Sequence, residues 1–341
     1  MRKLFFILLM SILLLTACNN NNAPNEPPKN NGELKIENVF PIKENTKYSY
    51  EGEGNEFATY TMYIDYINGD RIQTRTNNGG SEVVRVLELK NGQLTELFLR
   101  GETYFRENFT DETFETGKIL LKEPLKEGTS WSNGENSTST ITSASKEVVT
   151  TQGNVNAIEV TTKNSQGTTI EYYAKDKGLV KTINKGEGYE VSSTLSQIEN
   201  NVPLIQTVTL FYPDIDGINY NTIDVPVTFN TNDEPKDVIE QTVKDLSAYN
   251  IFSANTKINE LYYRLEDNSV HIDLSENFVT DMSAGAGFEM MILTSIANTL
   301  GTYYGVQEVY LTIDGNPYES GHILLNEGES LTVDYSNIKT Q

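Results

Sequence analysis

Between Lys35 and about Ser196 the chain reverses direction every ten or so residues. Turn signals stand at Asn68-Gly69-Asp70, Asn78-Gly79-Gly80, Asn91-Gly92, Asn133-Gly134 and Gln166-Gly167. The runs between them alternate. In 59–66, Tyr60, Met62, Ile64 and Tyr66 fall on one face, and Thr59, Thr61, Tyr63 and Asp65 on the other. The same two-residue period recurs at Ala157-Ile158-Glu159-Val160 and from Thr169 to Tyr173. Short strands at even spacing with Gly/Asn turns specify an antiparallel all-β domain over 33–200: a meander or curved sheet, a sandwich or a partly closed barrel. No helical period competes there. Trp131, the only tryptophan, is expected to plug the core, since a large aromatic between strands does most by burying its ring.

Glu199 to Pro203 is a polar break, and the pattern changes after it. Thr207 to Tyr212 reads as a strand with Asp224 to Phe229 as its hairpin partner. Asp233-Glu234-Pro235 opens a helix, with acids and a proline in the first turn and Val238, Ile239, Thr242, Val243 and Leu246 on one face. Strands follow at Glu260–Leu265 and Val270–Leu274, joined by Glu266-Asp267-Asn268. A second helix runs from about Gly285 to Leu300, with Gly301 expected to end it. Gln307–Ile313 is a last strand, turned by Asp314-Gly315. The order β-β-α-β-β-α-β over 203–341 specifies an α+β domain with two helices packed on a small sheet.

Two segments precede the first strand. Met1-Arg2-Lys3, the apolar run Leu4–Leu15 and Thr16-Ala17 form a signal peptide over 1–17, too short to span a bilayer. The single cysteine of the chain, Cys18, sits at the cut, and Leu15-Thr16-Ala17-Cys18 resembles a bacterial lipobox. That resemblance implies an acylated cysteine, palmitate included, at the new N-terminus and an anchor on the extracytoplasmic face of the cell membrane, with a Gram-positive envelope expected. More than one acyl chain makes such an anchor stable. The rest of 18–32, rich in Asn and Pro, buries nothing and reads as a disordered tether reaching on the order of 20 Å.

Composition narrows the function. Counting Gly and leaving out Tyr, the apolar share is about 38%, below the ~45–50% usual for globular chains. With 26 basic and 48 acidic residues the net charge is −22, which argues against nucleic acid as a partner. Most of the excess lies in 203–341, with 5 basic against 21 acidic residues. Such a field steers a basic partner face, repels anionic polymers or simply keeps the domain soluble. One Cys permits no intramolecular disulfide, and two His argue against a multi-histidine metal site.

In the second domain, Val270-His271-Ile272-Asp273-Leu274-Ser275-Glu276-Asn277-Phe278 resembles the signature of the GerMN domain, the family of sporulation and spore germination proteins. The resemblance continues at Ile296-Ala297-Asn298-Thr299-Leu300, Val306-Gln307-Glu308-Val309 and Ile313-Asp314-Gly315, and Val208-Thr209-Leu210-Phe211-Tyr212 suits the family's opening strand. It implies structural roles for Asp273, Leu274, Ser275, Phe278, Asp314 and Gly315. It also implies a protein-interaction or scaffolding unit of envelope assemblies with no accepted catalytic residues. Where the family often carries Gly-Pro after the first helix, this chain has Leu246-Ser247-Ala248-Tyr249-Asn250, which implies an altered loop. In the first domain, Tyr172–Lys181 resembles a hairpin of curved-sheet lipoproteins.

Sharper chemistries find little support. His271, Asp273 and Ser275 would lie successively about 7 Å apart on one strand face, too far for a nucleophilic relay. Ser320-Gly321-His322 lacks a nucleophile elbow. Asp214-Ile215-Asp216-Gly217 begins like a calcium loop but lacks its closing Glu. No phosphate loop, dinucleotide fingerprint or zinc spacing occurs, so neither cofactor nor catalytic residue is expected. The expected partners are the membrane, through Cys18, and an envelope protein; a homo-oligomer stays open. The alternative is a lipoprotein that holds wall glycan or a lipophilic molecule on its β domain. Replacing Cys18 by Ala should move the chain out of the membrane fraction or leave its leader uncut. A Cys18→Ala protein that is leader-free and still fully membrane-bound excludes the lipid anchor, and fractionation with mass spectrometry of the N-terminus decides.

Overall fold

Twelve strands pair in one antiparallel sheet whose order follows the chain outward from both ends of the domain. In a computed structural model, described for residues 33–339 except 135, 247, 248 and 250, β1 to β6 are Thr46–Glu53, Tyr60–Asn68, Arg71–Asn77, Glu82–Lys90, Gln93–Gly101 and Lys118–Lys122. Strands β7 to β12 are Ser130–Ser132, Thr138–Thr150, Gly153–Asn164, Gly167–Ala174, Gly178–Gly186 and Tyr189–Asn200. The sheet order β6-β5-β4-β3-β2-β1-β12-β11-β10-β9-β8-β7 makes two meanders joined by the pairing of β1 with β12, Lys47 opposite Glu199. The leader, Cys18, the tether, Ser247, Ala248 and Asn250 lie outside the described residues.

The expected turns close the hairpins. Asn91 and Gly92 both take positive φ, 53° and 68°, the geometry that lets a two-residue turn follow the twist of its strands. The two edge strands, β6 and β7, adjoin through side chains. Trp131 Nε1–H donates to Ile119 O at 2.9 Å, and Asn133 both donates to Ile119 O and accepts from Ile119 N. Trp131 is 6% exposed and packs with Leu87, Leu121, Ile141 and Val160, so its ring fills the core while its N–H links the edges. A single helical turn, α1 (Ile36–Val39), which the alternation did not signal, buries Ile36 and Val39 in the same cluster.

After the polar break the elements are β13 (Leu204–Pro213), β14 (Tyr220–Phe229), α2 (Pro235–Asp245), β15 (Ile258–Arg264), β16 (Ser269–Leu274), α3 (Asn277–Thr280), α4 (Ala286–Tyr304), β17 (Glu308–Ile313), β18 (Asn316–Pro317) and β19 (Leu331–Thr332). β13 and β14 form a hairpin of their own, while β15 to β19 form a second sheet with β16 and β17 parallel. Helix α4 touches β13 as well as β16, β17 and β19. That position explains its composition. Ile292, Ile296 and Leu300 are buried, but so are Leu293, Ala297 and Tyr304 on other sides, as in a helix covered all round.

Gly301 does not end this helix, contrary to the reading of the sequence. The helix continues to Tyr304, and Gly305 caps it at φ 70°. A Cβ on Gly301 would stand 2.2 Å from Val333 Cγ2, so glycine is required there for close packing beside β19.

One hydrophobic cluster spans both parts of Leu34–Gln341, a single compact unit. Val84, Val86, Phe105 and Phe109 from the first part pack in it with Leu204, Phe229, Tyr263 and Tyr304 from the second. Beneath this seam lies a buried charged network. Asp65, fully buried, accepts from Arg75 Nε at 3.0 Å and from Arg106 Nη1 at 3.1 Å. Arg75 also donates to Glu82, Thr103 O and Phe105 O, and Arg106 to Asn230 O at 2.9 Å. The Arg106 guanidinium stacks over Tyr66 and Phe229. Removing the shared acid strands two buried cations, so Asp65→Ala should cost about 3–5 kcal/mol. Urea unfolding measures it, and a loss under ~1 kcal/mol means that the network is not what holds the seam.

Candidate functional site

The second sheet buries one face and presents the other to solvent. In β15, Leu261 and Tyr263 are buried while Glu260 and Tyr262 are exposed. In β16, Val270, Ile272 and Leu274 are buried while His271 and Asp273 are half-buried. In β17, Val309 and Leu311 are buried and Tyr310 and Thr312 look outward. Register places Tyr262 opposite His271 and His271 opposite Tyr310. Their rings stack in a row across three strands, with centroids 5.0 and 4.7 Å apart and planes within 3° and 7° of parallel. The Arg264 guanidinium lies 5.7 Å from the Tyr310 ring and pairs with Asp267.

The stack sets the chemistry of His271. Ser269 Oγ–H donates to Asp267 at 2.6 Å, so the 3.2 Å contact between Ser269 Oγ and His271 Nε2 is made by Nε2–H as donor. Burial, and then the Arg264 charge, hold the imidazole pKa below 6.5 against the opposing pull of Asp267. The ring is therefore mainly neutral at pH 7, the form that stacks at least cost beside a guanidinium.

Below the stack, at the end of β16, the signature residues tie loops together. Asp273 accepts from Thr312 Oγ1 at 2.6 Å, Gly315 N at 2.8 Å and Asn259 Nδ2 at 2.9 Å. Asp314 accepts from Asn259 Nδ2 and from the Glu276 amide ahead of α3. Ser275 Oγ accepts from Lys257 N, Leu274 is fully buried, and Phe278 packs edge-on against Phe252 and Tyr318. Every polar atom named here is engaged in holding β15, β16 and β17 in register. His271, Asp273 and Ser275 do not meet as a relay.

The other candidate sets are also absorbed by structure. Asp214 closes its own turn by accepting from Ile218 N and Asn219 N, and pairs with Lys339 at 2.8 Å. Ser320 and Tyr318 both donate to Glu289, a carboxylate buried on α4, while His322 is exposed. Among the described residues no His, Cys, Asp and Glu group has metal-holding geometry. No helix among them is long and apolar enough to cross a membrane.

The reading of the sequence missed Tyr262, Tyr310 and Arg264. The signal was present: Tyr262 and Tyr310 are large aromatics at positions out of phase with the buried Leu261/Tyr263 and Val309/Leu311 sets.

A hairpin, two packed helices and a small mixed sheet define an α+β module carried behind a twelve-stranded antiparallel sheet. Residues 209–319 match the Germane family, described as sporulation and spore germination, so the chain carries a GerMN-like domain. Among solved structures, the tandem GerMN domains of the sporulation protein GerM from Bacillus subtilis align at 22% identity over 39% of this chain and 45% of that one, with a TM-score of 0.24. A protein from Bacteroides fragilis described as exported, with a YmcC-like fold, aligns at 11% identity and TM-score 0.29, covering 47% of this chain and 98% of its own. A protein from Parabacteroides distasonis described as a lipoprotein aligns at 13% identity and TM-score 0.27 with the same coverage. No curated protein matches the chain.

In a pH titration by NMR, the His271 C2 proton should show a midpoint below 6.5, moving up in Arg264→Gln; His322→Gln assigns the signal. Because the folded value is lowered, the stability His271 contributes is present above pH 6.5 and lost as pH falls through the folded midpoint. A midpoint at or above 6.5 contradicts the stacked neutral ring.

Proposed function

We propose that this protein is an extracytoplasmic lipoprotein, tethered to the membrane through Cys18, whose Germane domain docks on a second cell-envelope protein in an assembly of sporulation or germination. The observation that carries the reading is the aromatic row Tyr262–His271–Tyr310, lying on the solvent face of the sheet inside the segment that matches the family. Rings stacked on one another show solvent a stiff, partly apolar ridge of ring edges and hydroxyls that loses little entropy on contact, the kind of patch in which interface energy concentrates. Tyr262 is 40% exposed, and Glu260 and Glu308 flank the row with negative charge, while Asp267 is neutralised by Arg264. The favoured partner therefore offers an apolar patch rimmed by Lys or Arg. The lipobox-like segment ending in Cys18 supports an extracytoplasmic location, and the engaged carboxylates and hydroxyls around Asp273 support a non-catalytic role.

The test is crosslinking of the tagged full-length protein in intact cells, comparing wild type with Tyr262→Glu. Point changes are preferable to truncation at Val202, since the core is continuous across that position. Tyr262→Glu should abolish recovery of a specific envelope protein while costing no more than about 1 kcal/mol of stability, the loss of one cross-strand aromatic pair. The interaction should also weaken steeply with salt. The same proteins recovered by both forms would remove the aromatic row from the reading.

A further inference from the structure

Residues of β1 to β6 and β10 to β12 line a cavity of about 430 Å³ on one side of the twelve-stranded sheet. Strand alternation creates it. In β4, Val84 and Val86 face the core shared with the Germane domain, so Val83, Arg85 and Leu87 face the opposite way and line the cavity. Its deep wall is apolar and buried: Tyr48, Tyr50, Ile64, Ile72, Leu87 and Tyr173. Protein interiors leave few voids larger than a water molecule, and this volume lies in the range of small-molecule sites.

The rim differs in kind. Arg85 pairs with Glu96 at 3.1 Å, and Lys118 stands directly across from Glu96 in the register of β5 and β6. Lys118 is exposed and, among the described residues, has no ion-pair partner. Glu171 is the other charged group lining the cavity. Burial raises its pKa, with Lys118 opposing the rise first, then its hydrogen bond with Tyr173 and the Arg85 charge, and Glu96 adding to it. Phe57 and Leu99, each about half exposed, leave apolar surface at the cavity's edge.

We propose that this cavity binds a single-chain anionic amphiphile, its apolar chain along the buried wall and its carboxylate or phosphate head on the Lys118 ammonium beside Arg85. Lys118, exposed at the rim and in no ion pair among the described residues, supplies with Arg85 the countercharge for the head, and the apolar wall decides the tail. A glycan fits less well. Tyr50 and Tyr60 stack on each other at 4.4 Å, so they do not offer their mutual faces as sugar platforms. The site is separate from the aromatic row of the Germane domain, and the failure of either reading leaves the other intact.

The experiment uses the chain from Asn19 onward, which keeps every described residue. Its cavity is loaded with 8-anilinonaphthalene-1-sulfonate, and fluorescence follows displacement by dodecanoate, dodecyl phosphate and dodecanol. Saturable one-site displacement is expected. Lys118→Glu should weaken dodecanoate and dodecyl phosphate by about tenfold, the loss of one charge-assisted contact, and leave dodecanol nearly unchanged. The better of the two anions indicates whether a fatty-acid carboxylate or the phosphate of a single-chain (lyso) phospholipid is the natural head. Met62→Trp and, separately, Leu120→Trp should fill the space and remove all three without changing thermal unfolding. No saturable binding, binding indifferent to both Trp variants, an unchanged dodecanoate affinity in Lys118→Glu, or saturable binding of a soluble muropeptide in place of the amphiphiles would each overturn the proposal.

Discussion

The fold hangs on one carboxylate with two arginines. Asp65 projects from β2 on the side away from the cavity, and both Arg75 and Arg106 close on it out of contact with water. Neither arginine stops there. Arg75 donates to the carbonyls of Thr103 and Phe105, and Arg106 to those of Asp65 and Asn230. The network therefore fixes a stretch of chain that has no strand or helix of its own, the connection from β5 to β6, and through it the end of β14. Buried charges contribute little net stability against an apolar replacement, but breaking one partner is costly, so such a cluster specifies a single arrangement. Here the arrangement decides which side of the sheet carries the Germane domain and which side stays open.

The same seam orients the proposed docking face from behind. Glu107 accepts from Tyr263 N at 2.8 Å, and burial pushes its carboxyl up to about 8, so at neutral pH the acid form predominates. Tyr303 links the seam to β13 by accepting from Arg106 N and donating to Gln206. Arg100 donates to Tyr263 OH, and Phe105 packs on the Tyr263 ring. With Tyr263 held on the buried side at its amide, ring and hydroxyl, alternation leaves Tyr262 facing solvent. Packing on one face thus determines the display on the other.

What could be read in the sequence follows the range of the interactions. Strands between Asn/Gly turns were legible because the turn and the two-residue period are local, and helix α2 because its proline and acids mark its start. The pairing of β1 with β12, across some 150 residues, has no local signal, and so the sequence left meander, sandwich and barrel open. Gly301 was misread because glycine has two uses at a helix end, a left-handed cap and a close approach. Only the position of Val333 distinguishes them. The charged network was invisible for the same reason: Asp65, Arg75 and Arg106 look like ordinary surface residues until the sheet and its connection bring them together. The signature residues could be placed from the sequence, whereas the aromatic row needed register as well as alternation.

The two proposed activities use opposite parities of one alternating pattern. Residues of β4 with even numbers, Val84 and Val86, join the core that supports the Germane sheet, and Arg85 and Leu87 line the cavity. A substitution at the cavity rim therefore leaves the docking face untouched, because Lys118 and Arg85 share no partner with Tyr262, His271 or Tyr310. Effects at sites without shared partners add, so the two activities can be removed independently. The wall between them is different. Its buried acids and arginines serve both sides, and a change there would disturb cavity and docking face alike. Loss of both activities on altering Asp65 would consequently be a statement about the fold, and loss of one alone, at the rim or on the aromatic row, a statement about function.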